Sequence, residues 1–280
     1  MKNMTNQTLK SIFSFHLPNL ISNDAALLAG ILSSFMLVFI FRKSTFIISQ
    51  KLEYFIKIYI KMLIPLMPLF IIGTALKLQT EGTLSQIFEK YTPVLILFII
   101  SAYGWVLLQL YMISKLNFSK LTSYIKKITP AATTAFSTAS SASALPLSIK
   151  AAEQNISQKI NASIIIPTTV NIHLVGDCFF IPMIALVIMH SFGLALPEIS
   201  NYLLFAIHFC LAKFAVAAIP GGGIIVMLPI LQEYLGFQTD MQAIITAIYI
   251  LFDPIITGCN VIGNGAMAIV FDKIVSQKTR

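Results

Sequence analysis

Among the ionisable residues inside the long apolar stretches of this 280-residue chain, His173, Asp177, Lys213 and Asp253 could do chemistry there. A charge at the centre of a bilayer costs roughly 2.5–3.5 kcal/mol on insertion scales, so each needs a partner or a task. His173 and Asp177 lie four residues apart on one helical face, the spacing of two metal ligands. Two ligands are an incomplete site. His208 and Asp253 are candidate third ligands, but the chain has no HExxH, GxSxG or CxxC pattern. No catalytic residue and no metal site is expected, and Asp253 reads as a substrate or ion contact ahead of a purely structural carboxylate. His16 and His190 fall near the ends of apolar stretches and read as surface residues.

The elements that must position these groups follow from composition. Hydrophobic residues make up 57% of the chain and charged residues 11%, against roughly 45–50% and 25% in soluble domains. With a mean hydropathy of +0.84, the chain reads as an all-α polytopic membrane protein, multi-pass in the lipid bilayer. At about 20 residues per crossing, no large soluble domain fits beside the helices. Apolar stretches occur at about 25–41, 54–76, 93–114, 160–190, 202–231 and 243–271. If the first runs from outside to inside, fourteen of the 19 basic residues fall on the cytoplasmic side, which places the C-terminus in the cytoplasm. The net charge of +8 is thus a topology signal, and no nucleic-acid partner is expected. The first 24 residues lack a secretory-signal pattern and are read as a tail or interfacial segment. Cys178, Cys210 and Cys259 lie within apolar stretches and read as small membrane-core residues, with no disulfide framework.

This topology requires two segments, 131–149 and 202–231, to return to the side they entered from. Of the 14 residues from Ala131 to Ala144, all but Phe136 are Ala, Ser or Thr, which lets two short helices approach closely, with a helix restarting at Leu145-Pro146. Ala218-Ile219-Pro220-Gly221-Gly222-Gly223 interrupts the second segment, where no continuous helix survives. Each hairpin precedes a crossing with a polar interruption, Asn171–Asp177 in 160–190 and Asp253–Asn264 in 243–271. The expected architecture is therefore a pair of inverted repeats, each a re-entrant helical hairpin plus a broken transmembrane helix. The expected domains are a tail over 1–24, partial scaffold helices over 25–92 and a transport core over 93–280.

Four motifs resemble the dicarboxylate/amino acid:cation symporter family, the glutamate-transporter-like proteins. They are AFSTASSASALPLSIKAAE (135–153), AIPGGGIIVMLP (218–229), TTVNIHLVG (168–176) and DPIITGCNVIGNGAMAIV (253–270). The resemblance covers about 15–275 and the C-terminal two-thirds of the family's architecture. It implies a secondary active symporter of amino acids or small carboxylates working by alternating access, with the second hairpin as gate, in a bacterial inner membrane. The alternative is a non-transporting fragment, or half of a split symporter whose partner chain supplies the missing helices. A homotrimer is implied by the family alone, and no cofactor is implied.

The resemblance also implies site residues. Asp253 would bind the substrate's amino group, and Thr257 and Asn260 would face it, as would Ser140 and Ser141 at the first tip and Ile219 and Gly223 at the second. Ile256 stands where acidic-substrate members carry an Arg, which implies a neutral rather than acidic substrate side chain. Tyr249 and Ala139 replace an Asp and an Arg that face each other in many members. The coupling-ion positions would be Asn171, His173, Lys213 and Asn264. His173 and Asn264 replace carboxylates that bind sodium, and Lys213 could stand in for another sodium. Coupling to Na+ or H+ stays open, with His173 the titratable candidate because its reference pKa of about 6.5 lies in the working range. The plainer alternative is a satisfied core histidine, with Lys213 paired to Asp177 or snorkelling.

Overall fold

The structure is a computed structural model that describes residues 83–216 and 220–278, with single helical positions between 29 and 80. The tail expected over 1–24 and the crossings expected over 25–41 and 54–76 lie outside the continuously described residues, as does Ile219. The described stretch is all-helical: α1 (Thr83–Ile113), α2 (Phe118–Thr138), α3 (Ser141–Glu153), α4 (Lys159–Thr169), α5 (Val175–Ser191), α6 (Ile199–Lys213), α7 (Gly222–Leu235) and α8 (Thr239–Lys278).

α1 shows why the helices sit as they do. Tyr91, Leu95, Phe98, Ala102, Val106 and Leu110 recur every three or four residues and are all buried, forming one stripe against α5 and α8. Its other face, with Ile100, Trp105, Leu108 and Met112, is as apolar and is exposed. A helix that is apolar on both faces suits hydrocarbon on the outside and protein on the inside.

The first hairpin is α2–α3. It is longer than the expected 131–149 because Asn117 caps α2 by accepting from the Lys120 amide at 3.0 Å, so helix begins thirteen residues earlier. α3 likewise starts at Ser141 rather than at Leu145-Pro146, because Ser140 supplies its N-cap. Both arms rest on α8, where Ala131, Ala135, Ala144 and Ala151 cluster with Val261. These small side chains let the backbones approach closely. The second hairpin is α6–α7, and α6 packs mainly on α7.

The first expected break is present: α4 stops at Thr169 and α5 starts at Val175. The second is not. α8 is one helix of 40 residues through Asp253 and Asn264. Its glycines do a different job from breaking it. A Cβ at Gly258 would meet the Tyr103 hydroxyl, one at Gly263 the Val175 side chain and one at Gly265 the Ile128 side chain, so these positions admit neighbours rather than bend the axis. Pro254 leaves the helix intact, and the Tyr103 hydroxyl donates to the neighbouring Ile255 carbonyl at 2.8 Å.

α8 also orients the hairpins. The base of the first sits at Asp272, which accepts from the Ser157 amide and the Asn161 side chain, both at 2.8 Å. The base of the second sits at Gln242, whose side-chain amide donates to Gln232 at 3.1 Å and to the Phe237 carbonyl at 3.2 Å. Thirty helical residues separate these points, about 45 Å at 1.5 Å each. The hairpins therefore enter from opposite ends and meet near the middle of α8. Lysines gather at the Asp272 end, where Lys127 donates to the Gln154 carbonyl and Lys273 to the Ile113 carbonyl, each at 2.8 Å.

Candidate functional site

Four segments converge at mid-helix. The first tip brings Ala139 and Ser141, the second Val216 and Gly223, the start of α5 Leu174 and Asp177, and α8 Tyr249, Asp253, Thr257 and Asn260. Together they line a cavity of about 20 Å³, room for a water molecule and not for an amino acid. This is a closed arrangement.

Three helices, α3, α5 and α7, begin at this cavity, so three positive helix ends face it. Two carboxylates answer them. Asp253 is buried on α8 and accepts from the Gly221 amide at 2.7 Å and the Thr257 hydroxyl at 2.9 Å. Gly221 holds φ +70°, where any other residue would be strained, and this conformation aims its amide at Asp253. Asp177, 1% exposed, accepts from three side chains: Lys213 Nζ at 3.1 Å, the Tyr249 hydroxyl at 2.8 Å and Asn260 Nδ2 at 2.7 Å. The Asn260 carbonyl in turn accepts from the Gly176 amide at 2.7 Å, tying the start of α5 to α8. Lys213 is as buried as its partner, with Nζ 4.7 Å from the centre of the Phe209 ring.

Of the expected substrate residues, Ser141, Gly223, Asp253, Thr257 and Asn260 line the cavity, Ser140 and Ile256 are buried without lining it, and Ile219 is outside the described residues. Ser140 is buried and accepts from the Ser143 amide at 3.3 Å as the cap of α3. Gly223 leaves no room for a side chain, because a Cβ there would collide with the Tyr249 hydroxyl and an Asp177 oxygen.

The expected ion residues do not come together. Lys213 is at the substrate cavity, paired to Asp177. Asn264 accepts from the Thr169 hydroxyl and lies 3.4 Å from the Ile166 carbonyl, at the end of α4. Asn171 and His173 sit in the break, and Asn171 Oδ1 and His173 Nδ1 are both buried without a hydrogen-bond partner. His173 faces a separate cavity of about 230 Å³ with Gln109, Met112 and Ile113. His173 and Asp177 therefore serve different cavities, and among the described residues no three His, Cys, Asp or Glu side chains converge as metal ligands. Of the cysteines, Cys259 is buried, whereas Cys178 and Cys210 are on the exposed surface rather than in the core. Small side chains on outward helix faces meet lipid as readily as core.

Two functional groups escaped the sequence reading. Tyr249 is a donor to Asp177, and the Gly221 amide is a partner of Asp253. The signal for the first was an intramembrane Asp with only one cation to share; the second, a backbone group, leaves no signal in residue type.

A proton/sodium-glutamate symport protein of Geobacillus stearothermophilus is 30% identical over 139 residues, covering 50% of this chain and 32% of the relative. A Caenorhabditis elegans protein assigned as a sodium-dependent excitatory amino acid transporter, glt-4, is 29% identical over 146 residues, covering 50% of this chain and 28% of the relative. The matched regions thus span about a third of each relative's length. The sequence model of the sodium:dicarboxylate symporter family matches residues 5–274. The chain belongs to that family of integral membrane transporters.

Proposed function

We propose that the chain carries a small zwitterionic amino acid with a neutral side chain, by alternating access at the Asp253 cavity. The observation that supports this most is the charge inventory of the cavity. Asp253 is a buried carboxylate with no cationic partner among the described residues, and the one cation nearby, Lys213, is committed to Asp177. A substrate ammonium can pair with Asp253. A substrate α-carboxylate can take the positive ends of α3 and α7. A second carboxylate would find no Arg or Lys lining the cavity among the described residues, since Ile256 is apolar and buried. The glutamate named for the Geobacillus relative is therefore not the substrate proposed here.

Opening falls to the second hairpin. Its tip meets the cavity through the hydrogen bond that the Gly221 amide donates to Asp253, and the same oxygen could accept from the substrate, so binding and closure compete for one group. Proton coupling is the proposed drive, through His173, which has an unpartnered ring nitrogen in the break. A second reading, half of a two-chain symporter, rests on the coverage of 32% and 28% of the relatives' lengths.

The test is uptake of labelled alanine, serine and glutamate into liposomes containing only this chain, under an imposed sodium gradient and separately an imposed pH gradient. Uptake of alanine or serine, driven by pH and lost in Asp253→Asn, supports the reading. Uptake of glutamate in preference overturns the substrate class. Silence with all three, restored by adding a chain with three further crossings, favours the two-chain reading.

A further inference from the structure

The most unusual group in the site is Lys213. A lysine in hydrocarbon surroundings ordinarily snorkels to the interface. Here both it and Asp177 are almost completely buried, and Asp177 lines the substrate cavity. The lysine belongs to the moving element, at the last residue of α6, whereas Asp177 belongs to the start of α5. Asp177 Oδ1 takes both Lys213 and Tyr249, and Oδ2 takes Asn260, so every strong donor around it comes from the protein.

The charge balance of the closed site follows. Two carboxylates and one ammonium leave one negative charge, which the ammonium of a bound substrate cancels. Without Lys213 the closed site would hold two uncompensated carboxylates, and closure would require a mobile cation beside Asp177 or a proton on it. We propose that Lys213 is a built-in counter-cation: it occupies the place of an exchangeable monovalent cation at Asp177, so that the second hairpin closes over substrate without recruiting one there. This rests on the reading of the cavity as the transport site, but it makes a claim about cation binding that can be measured without transport.

Removing the ammonium should open an inorganic cation site where the wild type has none. The experiment follows thermal unfolding of the purified full chain in detergent, at pH 6 and pH 9, in choline, sodium, potassium or ethylammonium chloride of equal ionic strength. Wild type is compared with Lys213→Met and with the charge-neutral pair Lys213→Met/Asp177→Asn. The expected result is a wild-type midpoint indifferent to the cation. Lys213→Met should have a lower midpoint in choline at pH 9 that rises with sodium or ethylammonium in a saturable way. The double variant should again be indifferent, since neither charge is left to satisfy. In liposomes, uptake by Lys213→Met should fall by about tenfold or more in choline and recover with the cation that rescues stability.

A saturable sodium response in wild type equal to that of Lys213→Met would overturn the proposal, as would a Lys213→Met midpoint that no cation changes at either pH. If Lys213→Met does not fold in choline, its recovery on expression and purification in sodium or ethylammonium supports the proposal. A failure to fold in every medium, with the double variant folded, overturns it. Should wild type transport none of the tested amino acids, the thermal series still decides the question, so the two readings fail separately.

Discussion

The tip of the first hairpin is held by its own chain, whereas the tip of the second is held by side chains of other helices. At the first, Ala139 turns the backbone at φ +47°, Ser140 caps α3, and both arms lie on α8 through alanines. At the second, Gly221 bonds to Asp253 on α8, and Lys213 at the entry to the tip bonds to Asp177 on α5. Contacts made by a tip to itself do not respond to what occupies the cavity. Contacts made to two carboxylates of the cavity do on the proposed reading, in which a substrate ammonium competes for one of them. The two hairpins enter from opposite ends and both line the cavity, but among the described residues only the second bonds to its carboxylates.

Variants that break this contrast are ordered by expected effect. Asp253→Asn removes the charge for the substrate ammonium while its amide oxygen can still accept from Gly221. Leaving one member of a buried pair unmatched costs about 3–5 kcal/mol, so amino-acid affinity measured by calorimetry should fall by a factor of several hundred or more. Affinity equal to wild type would detach the second tip from substrate binding. Gly223→Ala forces a methyl group against Tyr249 and Asp177, and overpacking of this kind costs roughly 1–3 kcal/mol. The thermal midpoint should drop, and a second change, Tyr249→Phe, which deletes the hydroxyl, should recover part of it. Asp272→Ala, at the base of the first hairpin, removes the acceptor for Ser157 and Asn161 and should cost about 1 kcal/mol as a lost helix cap. Ala139→Gly should raise the midpoint slightly, because a non-glycine residue in the left-handed region carries roughly 1–2 kcal/mol of strain. A loss of stability at Ala139→Gly would show that the first tip depends on more than its own backbone.

The hairpins and the break at Asn171 were legible in the sequence for a physical reason. A run of Ala, Ser and Thr, or of Pro and Gly, inside an apolar stretch leaves few structures that satisfy the backbone in lipid. The uninterrupted α8 was misread because glycine has two uses in membrane helices. At Gly258, Gly263 and Gly265 the missing side chain admits Tyr103, Val175 and Ile128, and which use applies depends on a neighbour distant in sequence. The pairing of Lys213 with Asp177 was one of several open alternatives, because 36 residues and a hairpin separate them. The Gly221 amide could not be anticipated at all, since its direction comes from the fold of the tip.

The central claim is that the second tip moves with substrate and the first does not. Its most direct test is a pair of spin-label distances in a background with the three cysteines replaced by alanine. One pair joins Phe214→Cys near the second tip to Leu251→Cys on α8, the other Phe136→Cys near the first tip to the same position, all three being exposed sites. Saturating alanine or serine should shift the 214–251 distance distribution and leave 136–251 unchanged, with the 214–251 shift absent in Asp253→Asn. A substrate-dependent change at 136–251, or a 214–251 distribution that no bound amino acid alters, would contradict the account.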